Sequence, residues 1–203
     1  MQEYTIMFTD IVGYTRLIRQ DEQILGEILQ HHQKVHRDSV EAHSGKLVQC
    51  RADGSLSLFD SGYQAIRAAM KIQDGCHDPY NIPVRIGIYK GEVRHLGEEI
   101  VGESLNTAYR IRTTAIEGSI LISEYVYEEV RGQVEFTFKR LGLFNLKHAP
   151  DPVLLYATGS PDSILPGREV FKDDLSPPEN SIAVLPFRDL SPGRDQEYLG
   201  QGM

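Results

Sequence analysis

The sequence predicts a mixed α/β domain in which helices cover an antiparallel or mixed β-sheet. Up to about Ala157, β-prone apolar runs and segments with helical spacing of apolar residues follow one another without strict alternation. A doubly wound parallel sheet would require that alternation, so we favour the mixed sheet. The composition, 40% hydrophobic and 25% charged, is typical of a globular chain and excludes wholesale disorder.

The first half of the predicted domain contains both β-prone apolar runs and segments in which apolar residues have helical spacing. A short apolar run ends at Asp10, and a long amphipathic segment ends at Gly45. The pair Asp53-Gly54 then separates two short β-prone runs, which is a strong hairpin signal. The predicted elements are a strand over 4–9, a helix over 16–43, strands over 46–52 and 55–59, and a helix over 61–73.

The second half continues with shorter elements. Its predicted elements are a strand over 84–93, a helix over 103–116, a strand over 119–122, and closing strands within 136–157. We expect turns at Gly142 and at the Pro-Asp-Pro sequence of residues 150–152.

The sequence changes character after Thr158. Six of the ten prolines lie between Pro161 and Pro192, and residues 160–180 contain few apolar residues. We therefore predict a domain over 1–158, a proline-rich linker over 159–180, and the truncated start of a further unit over 181–203.

Charge and composition also narrow the function. The formal net charge of −8 argues against sequence-independent binding to nucleic acid and favours attraction of metal cations. No run approaches the ~18 apolar residues that span a bilayer, so no membrane partner is expected. Two cysteines make no disulfide framework, and their scarcity fits a reducing cytoplasm.

Two aspartates form the first candidate site. Asp10 ends the first predicted strand and precedes a glycine turn, where backbone N–H groups can bind phosphate. If the 46–59 hairpin pairs beside that strand, Asp53 and Asp10 lie at one end of the sheet. A divalent cation between them would then offset their repulsion. The ordinary alternatives are that Asp10 ends a strand or caps a helix, and that Asp53-Gly54 is a favoured turn pair.

Four other polar residues are candidates for ligand contacts. Asn106 and Arg110 lie four apart on the 103–116 helix and share a face, which is alternatively a solvated surface. Arg85 interrupts an apolar strand, and Lys147 follows a predicted strand. For each of these two cations a salt bridge and a phosphate contact both remain open.

Three histidines, His31, His32 and His36, cluster on the long predicted helix. Two of them are four residues apart, as in some metal sites, but no third ligand lies near that pair. We therefore interpret all three as surface residues. No glycine-rich Walker loop, dinucleotide fingerprint or nucleophile elbow occurs in the chain.

The ordered set of these motifs resembles the class III adenylyl/guanylyl cyclase catalytic domain over residues 2–157. The matching segments are Phe8-Thr9-Asp10-Ile11-Val12-Gly13-Tyr14-Thr15, Ala52-Asp53-Gly54, Val84-Arg85-Ile86-Gly87-Ile88 and Leu105-Asn106-Thr107-Ala108-Tyr109-Arg110. The last segment, 181–203, is similar to the start of a TolB-like segment that follows this domain in some bacterial proteins.

The resemblance implies an α+β fold that is ferredoxin-like, or polymerase-palm-like, and a head-to-tail homodimer with shared active sites. It implies two Mg²⁺ or Mn²⁺ ions per site, held by Asp10, Asp53 and the Ile11 carbonyl. It further implies that the turn binds the triphosphate, and the residues of that turn are Ile11, Val12, Gly13, Tyr14 and Thr15.

The other subunit would supply the catalytic residues. By the same resemblance, Asn106 positions the ribose and Arg110 neutralises charge on the α-phosphate in the transition state. Arg85 and Lys147 match cations that hold the β- and γ-phosphates. The implied reaction converts ATP into 3′,5′-cyclic AMP and pyrophosphate, for intracellular signalling.

Two departures from the family pattern concern the nucleotide base. Gln49 stands where a base-recognising lysine is expected, and Ala52 replaces the glycine before the second metal aspartate. Glu99 can accept a hydrogen bond from the adenine N6 amino group and would repel guanine O6, so ATP is favoured over GTP. The alternatives are a guanylyl or promiscuous cyclase, and a weakly active or inactive nucleotide-sensing or dimerisation module that regulates a downstream domain.

Overall fold

A computed structural model describes residues 1–17, 22–51, 53–97, 99–147, 149 and 151–171. The strands are β1 (Gln2–Ile11), β2 (Lys46–Cys50), β3 (Gly54–Phe59), β4 (Val84–Leu96), β5 (Glu99–Val101), β6 (Ile120–Ser123), β7 (Thr137–Phe144) and β8 (Val153–Gly159). The helices are α1 (Tyr14–Leu17), α2 (Glu22–Ala42), α3 (Gly62–His77), α4 (Glu103–Thr114) and α5 (Glu124–Val130), followed by a 3₁₀ turn over Arg168–Val170.

The strands form a mixed sheet in the order β2-β3-β1-β4-β6-β8-β7, and β5 pairs with the far end of β4. All described pairings are antiparallel except β4 with β6, which are parallel. The predicted mixed α+β architecture is therefore confirmed.

Alternation along β1 gives the sheet two differently covered faces. Met7 and Ile11 point into a core that α2, α3 and α5 cover. Ile6 and Phe8 point to the opposite face, which packs against α4. Because neighbouring residues of a strand point to opposite faces, Thr9 lies on the first side and Asp10 on the second.

Helix α4 lies unusually close to the sheet because β4 has a glycine beneath it. A Cβ atom on Gly87 would overlap the backbone of Ile111 and Arg112. The absence of a side chain at this position lets the α4 backbone rest on the strand. This contact fixes where the side chains of the last turns of α4 meet the sheet.

Two details differ from the sequence-based expectations. Gly142 does not end a strand: with φ of +97° it sits at a β-bulge inside β7, where the pairing with β8 shifts register. The turn expected there is wrong, because the strand continues to Phe144. The short elements β5 and α5 were not predicted. Within the described residues, the predicted 16–43 helix corresponds to α1 and α2.

Part of the predicted linker packs on the domain. Phe171 is buried against Phe144, and the Arg168 guanidinium lies 3.8 Å from the centre of the Phe144 ring. Residues 172–180 and the predicted unit over 181–203 lie outside the described residues. Among the helices that are described, none has the length and apolar character needed to cross a bilayer.

Candidate active site

The two candidate metal aspartates line one cavity of about 260 Å³ at the end of β1. Asp10 pairs in register with Gly54 on β3, so Asp53, the residue before Gly54, lies opposite Ile11, the residue after Asp10. The Ile11 amide donates to the Asp53 carbonyl over 2.6 Å. A Cβ atom on Gly54 would overlap the Thr9 carbonyl, so only glycine lets the hairpin tip approach β1 this closely.

One carboxylate oxygen of Asp10 contacts two guanidinium groups. Arg85, its register partner on β4, donates to Asp10 Oδ2 from Nε at 2.8 Å and from Nη2 at 2.6 Å. Arg112 of α4 places Nη1 2.9 Å from the same oxygen. The side chain of Asp10 is only 14% exposed, so this cluster is largely shielded from water.

Of the two interpretations of Arg85, the structure contains the salt bridge, and the phosphate contact stays a prediction. Its guanidinium forms the salt bridge, and its Nη1 also donates to the carbonyl of Thr113 at 3.1 Å. Phosphate binding by Arg85 would require this side chain to leave Asp10. In the structure as described, Arg85 neutralises a candidate metal ligand.

The predicted triphosphate turn begins at the end of β1, and Gly13 has a left-handed φ of +72°. Two of its amides are already used within the protein, since Ile11 donates to Asp53 and Val12 donates to the Pro83 carbonyl over 2.7 Å. These two N–H groups cannot bind phosphate in this arrangement. Phosphate contacts from the other amides of the turn, those of Gly13, Tyr14 and Thr15, stay a prediction.

Gln49 reaches the same cavity from β2. Its amide, oriented with the oxygen toward Arg51, accepts hydrogen bonds from the Arg51 guanidinium, including one of 2.8 Å from Nη2. Arg51 also lines the cavity. With its oxygen occupied, the amide has only its NH₂ group free to contact a ligand.

The remaining candidates lie elsewhere on the surface. Asn106, Glu99 and Lys147 are exposed, and Arg110 is half-buried on α4. As far as the described residues go, none of these four lines the cavity that holds Asp10 and Asp53. One chain therefore presents the two halves of the predicted site in two separate places.

The three clustered histidines are not all surface residues, and that expectation was wrong. His32 and His36 are fully buried between α2 and the sheet, with their rings 4.0 Å apart. Burial lowers the pKa of His32 to about 4 and that of His36 to about 3, and in each case a neighbouring histidine adds to the effect. Both rings are therefore neutral near pH 7. A surface assignment failed because α2 buries this side against the sheet.

His36 belongs to a buried hydrogen-bond chain beneath the cavity. Its Nδ1 lies 2.8 Å from the His32 carbonyl and must donate there, so its Nε2 accepts from the Thr9 hydroxyl at 2.9 Å. The Thr9 oxygen accepts from the Ser55 amide and hydroxyl, both at 3.0 Å. This chain joins α2, β1 and β3 directly under Asp10 and the hairpin tip.

The donor set fits a hard divalent cation. Two carboxylates and the Ile11 carbonyl are all oxygen donors, the type that Mg²⁺ and Mn²⁺ prefer. The described residues contain no group of three or more histidine, cysteine or acidic side chains able to enclose a metal by themselves. A cation here would depend on further ligands such as phosphate oxygens and water, as Mg²⁺ usually does.

Sequence reasoning missed Arg112 and Arg51. A signal for Arg112 existed, because it lies four residues after Ala108 on the side of α4 that packs on the sheet. A cation on a buried helix face requires an anionic partner, and Asp10 is that partner. Arg51 gave no comparable signal, since a charged residue beside a hairpin tip is ordinary.

Comparison with known proteins identifies the family of this chain. Residues 1–158 match the family model for the adenylate and guanylate cyclase catalytic domain. A Rhizobium meliloti protein assigned as adenylate cyclase 3 is 28% identical over 98% of this chain and 35% of its own length. An adenylate cyclase of Streptomyces coelicolor is 31% identical over 61% of this chain and 33% of its own.

Among solved structures, an adenylate/guanylate cyclase/hydrolase from Silicibacter pomeroyi superposes with a TM-score of 0.69. The two chains are 27% identical, and the alignment covers 79% of this chain and 98% of that one. The present chain spans about a third of the length of the two curated relatives named above. With the family match covering residues 1–158, the chain belongs to the adenylate and guanylate cyclase catalytic domain family.

Proposed function

We propose that the chain is a homodimeric nucleotide cyclase that converts ATP into 3′,5′-cyclic AMP and pyrophosphate in signal transduction. The observation that carries this proposal is the meeting of Asp10 and Asp53 at one cavity beside two arginines. In this reaction the ribose 3′-oxygen bonds to the α-phosphorus and loses its proton. The bond between the α-phosphorus and the bridging oxygen of pyrophosphate breaks.

Asp10, Asp53 and the Ile11 carbonyl would hold two Mg²⁺ or Mn²⁺ ions. When bound, such ions lower the pKa of the attacking hydroxyl and neutralise charge on the phosphates. The protein residues position these ligands: Gly54 permits the close approach of the hairpin tip, and the Ile11 amide fixes the Asp53 backbone.

A second copy would complete the site. Asn106, Arg110 and Lys147 lie outside the lining described for the cavity of their own chain, which supports a site shared between subunits. In that role Asn106 orients the ribose, Arg110 neutralises the α-phosphate and Lys147 binds the terminal phosphates. An arginine supplied in trans is worth about 10³-fold or more in phosphoryl-transfer rate.

ATP is the proposed substrate. Because Arg51 occupies the Gln49 oxygen, the Gln49 NH₂ group would be the donor that contacts the base. Adenine N1 accepts such a bond, whereas guanine N1–H cannot. The exposed Glu99 would accept a hydrogen bond from the N6 amino group of an adenine bound in the other active site of the dimer. We place the protein in the cytoplasm, where this substrate is available and where Cys50 and Cys76 stay reduced as free thiols.

The direct test is to incubate the purified chain with ATP or GTP and Mn²⁺, then quantify cyclic nucleotide. We expect cyclic AMP in excess over cyclic GMP. Absence of both products from a sample shown to be dimeric by analytical ultracentrifugation would contradict the proposal. Nucleotide binding without turnover would instead indicate a sensing or dimerisation module.

A further inference from the structure

Arg112 is one of two arginines of this site that the family resemblance did not assign. Its side chain is only 10% exposed, lines the cavity, and lies 2.9 Å from Asp10 Oδ2. Its Nε is buried and has no hydrogen-bond partner within the part of the chain that the structure describes. A buried guanidinium with an unused N–H group has capacity for one more acceptor at this position.

The surroundings hold Arg112 in place. The close contact between α4 and Gly87 sets the height of the Arg112 backbone above the sheet. Its guanidinium lies 4.2 Å from the centre of the Tyr109 ring, and that ring packs edge-on against Phe8. A guanidinium stacked on an aromatic ring remains beside the cavity even when its anionic partner changes.

The two candidate metal ligands are therefore in different electrostatic states. Asp10 shares one oxygen between two guanidiniums, whereas Asp53 is exposed, and no ion pair involves it over the described ranges. A cation that approaches Asp10 must overcome repulsion from both arginines. Phosphate oxygens offer each arginine an alternative anionic partner, which a guanidinium can bind through two parallel hydrogen bonds.

We propose that Arg112 is a positioning residue that holds Asp10 in the absence of substrate and turns to the triphosphate when the nucleotide arrives. This inference rests on the proposed cyclase function. Its consequence is that the affinity of the site for metal depends on bound nucleotide. The free energy of this coupling comes from exchanging one anionic partner of Arg112 for another.

The test measures Mn²⁺ binding, by electron paramagnetic resonance of free Mn²⁺, with and without 3′-deoxy-ATP, which lacks the attacking hydroxyl. We expect Arg112→Gln to bind Mn²⁺ alone about tenfold more tightly than the unmodified chain, since typical couplings span about 5- to 150-fold. We also expect 3′-deoxy-ATP to raise the Mn²⁺ affinity of this variant less than that of the unmodified chain.

The control variant is Arg131→Gln, which removes one positive charge from a surface ion pair with Glu128. Arg112→Met, which keeps an unbranched side chain over Tyr109, replaces Arg112→Gln if that variant does not fold. Mn²⁺ affinity for the Arg112 variants equal to that of Arg131→Gln would overturn the inference.

Asp10→Asn separates this inference from the proposed function. If Asp10→Asn loses Mn²⁺ binding while the Arg112 variants bind like the control, the metal site is supported and the role of Arg112 is wrong. If Asp10→Asn binds Mn²⁺ as tightly as the unmodified chain, the proposed metal site itself fails, and the Arg112 inference with it.

Discussion

Thr9 and Asp10 are neighbours on one strand, yet they lie in opposite environments. Thr9 faces a buried, uncharged chain of hydrogen bonds with His36 and Ser55. Asp10 faces a charged cluster with Arg85 and Arg112 beside a cavity open to ligands. The strand alternation alone produces this division, because it sends consecutive side chains to opposite faces.

Residues on the Thr9 face stabilise the site, whereas residues on the Asp10 face would contact metal and substrate. On the Thr9 face the hydrogen bonds join neutral groups of the protein itself, so the network fixes β3 against β1. On the Asp10 face the partners are ions, which metal and phosphate can replace without changing the fold. Changes on the first face should therefore affect stability with little effect on catalysis, whereas changes on the second should strongly affect catalysis.

The largest expected effect is that of Asp10→Asn on catalysis. We expect cyclic AMP production to fall by about 10³-fold or more, because the variant loses a metal ligand. Its unfolding free energy should fall by roughly 1 to 3 kcal/mol, since the asparagine keeps an oxygen that can accept from the arginines and Arg85 keeps its hydrogen bond to the Thr113 carbonyl. Rates are measured by product quantification and stability by urea unfolding.

Thr9→Val is the matched variant on the other face. It removes the hydroxyl between His36 and Ser55 at nearly constant volume, so it should cost roughly 1 to 3 kcal/mol of stability. Activity below the unfolding temperature should stay within about tenfold of the unmodified chain. A 10³-fold loss for the folded Thr9→Val protein would contradict the division between the two faces.

Gly54→Ala should disturb both faces together. The new Cβ atom would overlap the Thr9 carbonyl, so β3 must move away from β1. Overpacking of this kind costs about 1 to 3 kcal/mol, and it would also separate Asp53 from Asp10. Gly132→Ala, at a position with open space around it, is the control in the same assays.

The buried histidines on the Thr9 face of the sheet should make the stability of the protein depend on pH. His32 and His36 have lowered pKa values in the folded state, about 4 and about 3, against the ordinary value of 6.5. The unfolded chain therefore binds more protons below pH 6.5, and stability is lost as the pH falls from there toward the folded values. For each histidine, the free energy of unfolding should decrease by about 2 kcal/mol when the pH falls from 7 to 5.

His36→Gln isolates one of these histidines. The urea-unfolding free energy of this variant should fall about half as much between pH 7 and 5 as that of the unmodified chain. An equal pH dependence in His36→Gln and the unmodified chain would show that His36 is not the titrating group.

The smallest expected effect concerns the base. Arg51→Met frees the Gln49 amide to turn and accept from guanine N1–H. The ratio of kcat/KM for ATP over GTP should fall by about 3- to 10-fold, the scale of one solvent-exposed hydrogen bond. Arg131→Met serves as the surface control, and an unchanged ratio in Arg51→Met would exclude this role for Arg51.

Much of this site was predictable from sequence because its signals are local. The apolar run before Asp10 and the Asp53-Gly54 turn each specify a short element, and pairing of the two places both carboxylates at one end of the sheet. The same holds for the mixed sheet itself, since each strand carries its own β-prone pattern.

The partners of those carboxylates were not predictable in the same way. The salt bridge of Arg85 depends on its register opposite Asp10, and that of Arg112 depends on how closely α4 approaches Gly87. Burial of His36 depends on the packing of α2 over the sheet, which helical spacing alone does not fix. All three are tertiary contacts between residues far apart in sequence.

The central claim is that one active site takes its carboxylates from one subunit and its arginine from the other. Mixing Asp10→Asn with Arg110→Ala tests it most directly, because each variant alone lacks one half of every site. If the claim holds, the mixture regains cyclic AMP production at up to about half the specific activity per heterodimer, which has one intact site of two. A mixture that exchanges subunits, as shown by fluorescence energy transfer, yet stays as inactive as either variant would contradict it.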